Sequence, residues 1–149
     1  KQQANCAPCA AGSASNQVGR NHTCDLCAPG TSQQFTGKTS CTNCTAGFAV
    51  NVHGATACVA CAPGTYTQAD GHLTCDACTK QQFQSQPGQS LCSPCPRGQS
   101  NDLTGRSACF PCAAGTFSNQ TGLLHCFNCP KGTAQPLTGA TSCSACLGV

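Results

Sequence analysis

The sequence predicts a small, disulfide-rich, mostly β or irregular fold: a linear, solenoid-like rod of about eight 17-residue miniature hairpin repeats, with no helices. Three observations predict it. Eighteen of the 149 residues are cysteine. They fall in nine Cys-x-x-Cys pairs, at 6/9, 24/27, 41/44, 58/61, 75/78, 92/95, 109/112, 126/129 and 143/146. From Cys24 to Cys143 successive pairs stand 17 residues apart, and the first interval is 18. Periodicity this strict means one structural unit copied along the chain.

The cysteines also answer a problem of composition. Leu, Val and Phe supply only 19 residues, and Ile, Met and Trp are absent. A chain of this length ordinarily buries a hydrophobic core, but this one lacks the side chains for it. Its aliphatic and Phe content falls below the ~20% that marks disorder, while its cysteine density exceeds the ~8–10% that marks a disulfide scaffold. Crosslinks take the place of the missing core.

Glycine marks the turns. Ten residues after the second cysteine of each pair stands a glycine in all eight complete intervals, from Gly19 through Gly139. Three residues after that same cysteine, and so first in chain order, stands another in seven of the eight, with Gln81 as the exception. Glycine in such fixed phases supplies positive φ at no steric cost. The exception at Gln81 implies that the first glycine is the less demanding of the two. Between them runs Thr with a variable neighbour, as in Gly64-Thr65-Tyr66, then a polar tetrapeptide. This reads as a short strand of two to four residues, a polar turn and a second short strand. No stretch has helical periodicity.

One larger side chain serves each unit, at the fifth or eighth place after the cysteine: Phe35, Val52, Tyr66, Phe83, Leu103, Phe117 and Leu137. The expectation is a single slot, reached from two directions, over the neighbouring disulfide.

Three uses of the cysteines compete. Cys-x2-Cys-x13-Cys-x2-Cys lies close to zinc-ribbon spacing. Zinc modules would pair the motifs two by two and give a 34-residue alternation, whereas the period is a uniform 17, and His22, His53, His72 and His125 share no phase. A redox Cys-x-x-Cys needs a helix N-terminus in a βαβ context, which is lacking. Disulfides remain, with no metal and no other cofactor. Pairing the second cysteine of each motif with the first of the next preserves the repeat. It gives Cys9–Cys24, Cys27–Cys41, Cys44–Cys58, Cys61–Cys75, Cys78–Cys92, Cys95–Cys109, Cys112–Cys126 and Cys129–Cys143 as units of a single array over residues 1–149. Each bond would contribute about 3 kcal/mol by constraining the unfolded chain. The alternative, first-to-first and second-to-second, doubles the repeat and strands one motif of the nine. The symmetric scheme leaves Cys6 and Cys146 for outward or inter-chain bonds, to flanking repeats of a longer chain or to other copies in a polymer.

Charge narrows the function classes. Seven basic and four acidic residues give +3, and the basic ones are scattered singly, so no phosphate-neutralising patch exists for nucleic acid. No apolar run approaches the ~18 residues of a membrane span. Lys1 to Asn5 carry no signal-peptide character, so a secreted form would be a mature chain or a fragment. Four Asp and four His lie in different repeat phases, which offers no acid–base pair, and the expectation is that the chain is not an enzyme. Three N-glycosylation sequons begin at Asn21, Asn43 and Asn119. Asn119, in the hairpin turn, is the best placed, Asn21 is next, and Asn43 sits between two cysteines. With 7% charged residues, N-linked and O-linked sugars would help to keep such a surface soluble.

Cys61-Ala-Pro-Gly-Thr-Tyr66, followed by Gly71 and Thr74-Cys75-Asp-Ala-Cys78, resembles the ephrin-receptor-like cysteine-rich repeat. It is also similar to the first half-module of tumour-necrosis-factor-receptor cysteine-rich domains. Cys27-Ala-Pro-Gly-Thr31 and Cys112-Ala-Ala-Gly-Thr-Phe117 repeat the signature. The resemblance implies a secreted disulfide repeat of the kind found in receptors, adhesion proteins and surface coats. Two functions are therefore expected at the cell surface or outside it. The first is a structural glycoprotein array in a stalk, coat or filament, with its own copies as partners. The second is a receptor or adhesin ectodomain with a protein ligand, for which the atypical segment 80–89 and the pair Phe110 and Phe127 are the candidate surfaces.

Overall fold

The computed structural model describes residues 7–17 and 23–146. Among them every strand is two residues long and there is no helix. The strands pair antiparallel in chain order: β1 (Ser13–Ala14) with β2 (Asp25–Leu26), β3 (Thr31–Ser32) with β4 (Thr42–Asn43), β5 (Phe48–Ala49) with β6 (Val59–Ala60), and β7 (Thr65–Tyr66) with β8 (Asp76–Ala77). Then follow β9 (Gln82–Phe83) with β10 (Ser93–Pro94), β11 (Gln99–Ser100) with β12 (Phe110–Pro111), β13 (Thr116–Phe117) with β14 (Phe127–Asn128), and β15 (Thr133–Ala134) with β16 (Ser144–Ala145). The chain is a repeat array of miniature hairpins. The second strand of each lies inside a Cys-x-x-Cys motif.

Eight disulfides accompany the eight hairpins: Cys9–Cys24, Cys27–Cys41, Cys44–Cys58, Cys61–Cys75, Cys78–Cys92, Cys95–Cys109, Cys112–Cys126 and Cys129–Cys143. An isolated hairpin with two-residue strands has too little paired backbone to persist in water, and the crosslink supplies what pairing lacks.

Each hairpin begins with a tight turn written in the sequence. In Ala28-Pro29-Gly30-Thr31 the Thr31 N–H donates to the Ala28 carbonyl at 3.0 Å, and Gly30 has φ +82°. Pro second and Gly third is the residue order of a type II turn, whose third residue must take the left-handed region. The Thr31 hydroxyl adds a 2.7 Å bond to the same carbonyl, and Thr65, Thr116 and Thr133 do likewise in their own turns. The recurring Gly-Thr pair is thus one device, with glycine supplying the dihedral and threonine clamping the turn.

The chain forms two compact units by its backbone contacts. One holds the residues up to Cys61 with Thr67–Cys75 and Gly88–Ser90, and the other holds Ala62–Tyr66, Asp76–Pro87 and the residues from Leu91 on. Inside the first, successive hairpins are stitched by backbone bonds: Gly30 N–H to Val50 carbonyl (2.7 Å), Gln33 N–H to Ala55 carbonyl (3.1 Å) and Gly54 N–H to Cys27 carbonyl (2.8 Å). Inside the second the same three bonds recur as Gly98 N–H to Ser118 carbonyl (2.9 Å), Asn101 N–H to Leu123 carbonyl (3.1 Å) and Gly122 N–H to Cys95 carbonyl (2.7 Å). These bonds use backbone atoms alone. Side chains are therefore free to vary from repeat to repeat while the stacking is copied.

The stitching brings glycines into direct contact and reverses one expectation. An added Cβ at Gly64 would overlap the Gly105 carbonyl oxygen and lie 2.8 Å from its carbon, and Gly12, Gly30, Gly47 and Gly98 meet an equivalent carbonyl. At the second glycine the neighbours are side-chain carbons at 3.2–3.7 Å where Gly37, Gly54, Gly88 and Gly105 are concerned. The first glycine is the more demanding one, because a backbone carbonyl packs onto its α-carbon. Gln81 occupies that phase with φ +72° and keeps the stitching bond to the Asn101 carbonyl at 2.8 Å. Its turn lacks the clamping threonine, and the Thr79 hydroxyl bonds the Gln82 side-chain oxygen at 3.1 Å instead.

The expected slot for one large side chain is also not what the hairpins contain. Phe35, Val52, Leu103 and Leu137 are exposed, and Tyr66, Phe83 and Phe117 are only half-buried. Most of the buried side chains are the second cysteines, Cys27, Cys44, Cys61, Cys78, Cys95 and Cys112, together with the sixth residue after them in five repeats: Gln33, Val50, Thr67, Asn101 and Ser118. A hairpin this thin has an interior one side chain deep, and the half-cystine with its neighbour fills it. The eighth place falls in the loop beyond the strand, where it faces water.

Most of those sixth residues are polar and organise the loop from within. Gln33 donates Nε2–H to the Ser40 carbonyl (2.9 Å) while its Oε1 accepts from the Phe35 N–H (3.1 Å). Gln84 and Gln135 repeat the pattern with Leu91 and Gln86, and with Ser142 and Leu137. Asn101 Nδ2 donates to the carbonyls of Gln82 and Leu103, and its Oδ1 accepts from the Leu103 N–H. Val50 is the apolar variant, packed with Cys44 and Ala55 against Phe48 and Cys58.

Candidate functional site

Four places hold chemistry beyond the scaffold: an unpaired cysteine, the sequons, an aromatic patch and a groove.

Cys146 is an exposed free cysteine. Its N–H donates to the Gly132 carbonyl at 2.9 Å, the bond by which Cys78 N–H meets Gly64 and Cys129 N–H meets Gly115. It therefore stands in the register from which each preceding second cysteine starts a disulfide. Cys6 lies outside the described residues.

Asn119 is exposed in the loop between β13 and β14, as is Thr121, the third residue of its sequon. Ser118 beside it is buried and bonds the Gln120 carbonyl at 2.9 Å, which fixes the loop and turns Asn119 outward. Asn43 is exposed on β4 and Thr45 follows it on the same face, while Cys44 between them is buried. Asn21 lies outside the described residues.

Phe110 and Phe127 occupy equivalent places on β12 and β14 and both are exposed. The Arg106 guanidinium lies over the Phe110 ring at 4.6 Å, and Phe127 meets Phe117, its register partner on β13, at 5.9 Å between ring centres. Cross-strand pairing with a ring and a cation cover leaves the outer faces of both rings to solvent. The segment 80–89 keeps the backbone bonds of the other repeats and presents no comparable cluster.

The groove, of about 610 Å³, lies within the first unit beside β3, β4 and β5. Phe35 and Phe48 give it apolar walls, hydroxyl and amide side chains line the rest, and Lys38 Nζ stands 5.4 Å from the Phe35 ring centre. Neither the groove nor the polar sixth position was found by sequence reasoning. The residue types at that position (Gln, Val, Thr, Asn, Ser) share no character, and only their phase in the repeat links them.

Among the described residues no three of His, Cys, Asp and Glu come together as a metal site, and no helix is long and apolar enough to cross a membrane.

No curated protein matches the chain. The family model described as tyrosine-protein kinase ephrin type A/B receptor-like matches it three times, over residues 47–88, 64–107 and 103–146. Those matches together span residues 47–146, well over half of the chain, and each takes in two hairpins and at least one complete disulfide. The chain belongs to the ephrin type A/B receptor-like family of cysteine-rich repeats.

Proposed function

We propose that this chain is a structural repeat segment of an extracellular glycoprotein, forming part of a stalk, surface coat or filament. The observation that carries the reading is the backbone stitching between hairpins, repeated from Gly30 and Val50 to Gly115 and Gln135 with little demand on side-chain identity outside the glycine phase. A scaffold of this kind transmits length, since each added repeat contacts its neighbours in the same way. Eight disulfides suit an oxidising compartment outside the cytosol. The chain acts without catalysis and without a resident cofactor. Its partners are flanking repeats or further copies, joined in part by disulfides from Cys6 and Cys146, and it carries N-linked sugar at Asn119.

Electron microscopy of native material tests this. Regular fibres or extended stalks are the expected result, together with loss of inter-chain bonds on reduction. Isolated particles that bind one protein ligand tightly would sink it. That second outcome favours the alternative, a receptor or adhesin ectodomain, for which Phe110, Phe127 and Arg106 form an aromatic and cationic patch of the sort that anchors protein partners.

A further inference from the structure

We propose that Asn43 carries an N-linked glycan whose first sugars lie in the groove against Phe35. The inference rests on the extracellular reading and goes beyond it by naming a site and its occupant. The sequon Asn43-Cys44-Thr45 is not merely near the groove; all three of its residues line it. Cys44, just past β4, is buried at 1% exposure, while Asn43 and Thr45 on either side of it are exposed. Gly71 flanks the Asn43 amide without a side chain, and even an added Cβ there would stand 3.9 Å from Nδ2.

The lining fits a sugar. Ser32, Gln34, Thr39, Thr42 and Thr56 offer neutral donors and acceptors, Lys38 is the single charge, and no carboxylate borders the groove. Phe35, in the wall of the groove, is 55% exposed. A pyranose has the complementary make-up, with a C–H face for an aromatic ring and hydroxyl or acetamido groups at its edge. Covering Phe35 with such a face removes apolar surface from water. The groove's volume lies within the ~300–1,000 Å³ that small-molecule sites occupy, and a glycan bonded to Asn43 is held there at no cost in translational freedom.

The modification requires a polyisoprenyl-diphosphate-linked oligosaccharide, the donor of the secretory compartment. Asn43 Nδ2 attacks C1 of its first N-acetylglucosamine. The C1–O bond breaks, the diphosphate leaves with the bonding pair, the C1–N bond forms, and one Nδ2 proton passes to base. Because β4 is paired with β3 and Cys44 is crosslinked to Cys58 in the next hairpin of the folded chain, transfer precedes closure of these two hairpins.

The experiment expresses the 149-residue chain through a eukaryotic secretory pathway and maps occupancy at Asn43 and Asn119 by enzymatic deglycosylation in heavy-oxygen water with peptide mass spectrometry. Glycan at Asn43, abolished by Thr45→Ala, is expected. Phe35→Ala should leave occupancy unchanged yet speed endoglycosidase release of the Asn43 glycan from native protein several-fold, with release at Asn119 unaltered. Occupied Asn119 with bare Asn43 overturns the inference and leaves the extracellular reading standing. Both sites bare overturns the inference and counts against that reading too. An occupied Asn43 whose release rate ignores Phe35→Ala overturns the placement in the groove.

Discussion

The carbonyl oxygen of Gly105 occupies the space where Gly64 would carry a side chain. The two glycines belong to different hairpins of the same compact unit, and backbone rests on backbone with nothing between. The demand for glycine at this phase is therefore double: a left-handed dihedral, φ +85° at Gly64, and a close approach. Gly115 has the first demand, at φ +81°, without the second, since nothing would meet its Cβ within 4 Å.

That contrast separates two costs. Gly115→Ala should destabilise its turn by about 1–2 kcal/mol, the left-handed penalty of an L-residue. Gly64→Ala should cost more, about 3 kcal/mol or above, because overpacking adds about 1–3 kcal/mol. Amide hydrogen exchange at the Gly64–Gln84 and Gly115–Gln135 bonds reads each locally. Equal losses of protection would show that the carbonyl contact carries no energy.

Gln81 bears the same dihedral strain in the native chain. Gln81→Gly should stabilise by about 0.5–1 kcal/mol, since relief of about 1–2 kcal/mol is partly offset by ~0.5–1 kcal/mol of added backbone freedom in the unfolded state. Denaturant melts with the disulfides intact would show the midpoint rise. A fall would mean that the Gln81 side chain makes a contribution of its own.

Asn101 is fully buried and makes three side-chain hydrogen bonds. Asn101→Ala should cost about 2–4 kcal/mol, because the Leu103 N–H and two carbonyls lose their partner and water at this part-buried place recovers a share of the ~1–3 kcal/mol that each fully buried group would lose. Exposed Asn119 should tolerate the same change within ~0.5 kcal/mol. The two variants compared in one melt series check the prediction.

The thin interior makes size a poor guide to importance. Leu137, 71% exposed, should change to Ala within ~0.5 kcal/mol, whereas Val50, 8% exposed against Cys44 and Ala55, should cost about 1–3 kcal/mol. The reverse order would restore a slot for the larger side chain.

Removing one crosslink should be costly but local. Replacing Cys78 and Cys92 together by Ser should lose about 3 kcal/mol, the entropy released in a loop of ~15 residues. Exchange protection is expected to fall first at the Gln81–Asn101 bond and least at Gly115–Gln135. Uniform loss along the chain would show the hairpins to be more strongly coupled than their shared backbone bonds imply.

Much of this was legible because the code is one of phase. Ala28-Pro29-Gly30-Thr31 specifies its turn through residues that each have a reason to be there, and the 17-residue period repeats that specification along the chain. Phe35 and Leu137 misled because bulk signals burial only where a core exists to receive it. The aromatic patch was partly visible, as Phe110 and Phe127 share a phase, but Arg106 over one ring and Phe117 against the other depend on how the strands pair. The groove was invisible, since Phe35, Asn43 and Thr56 are drawn from separate stretches of sequence.

The sequence by itself determined the repeat, the hairpins, the turns and the reliance on cysteine, because each is set by neighbours along the chain within one period. Only the tertiary structure decided which glycine is sterically indispensable, which residue fills the interior and where apolar surface stays exposed. Those outcomes depend on backbone atoms of one hairpin meeting those of another, and backbone atoms carry no letter in the sequence.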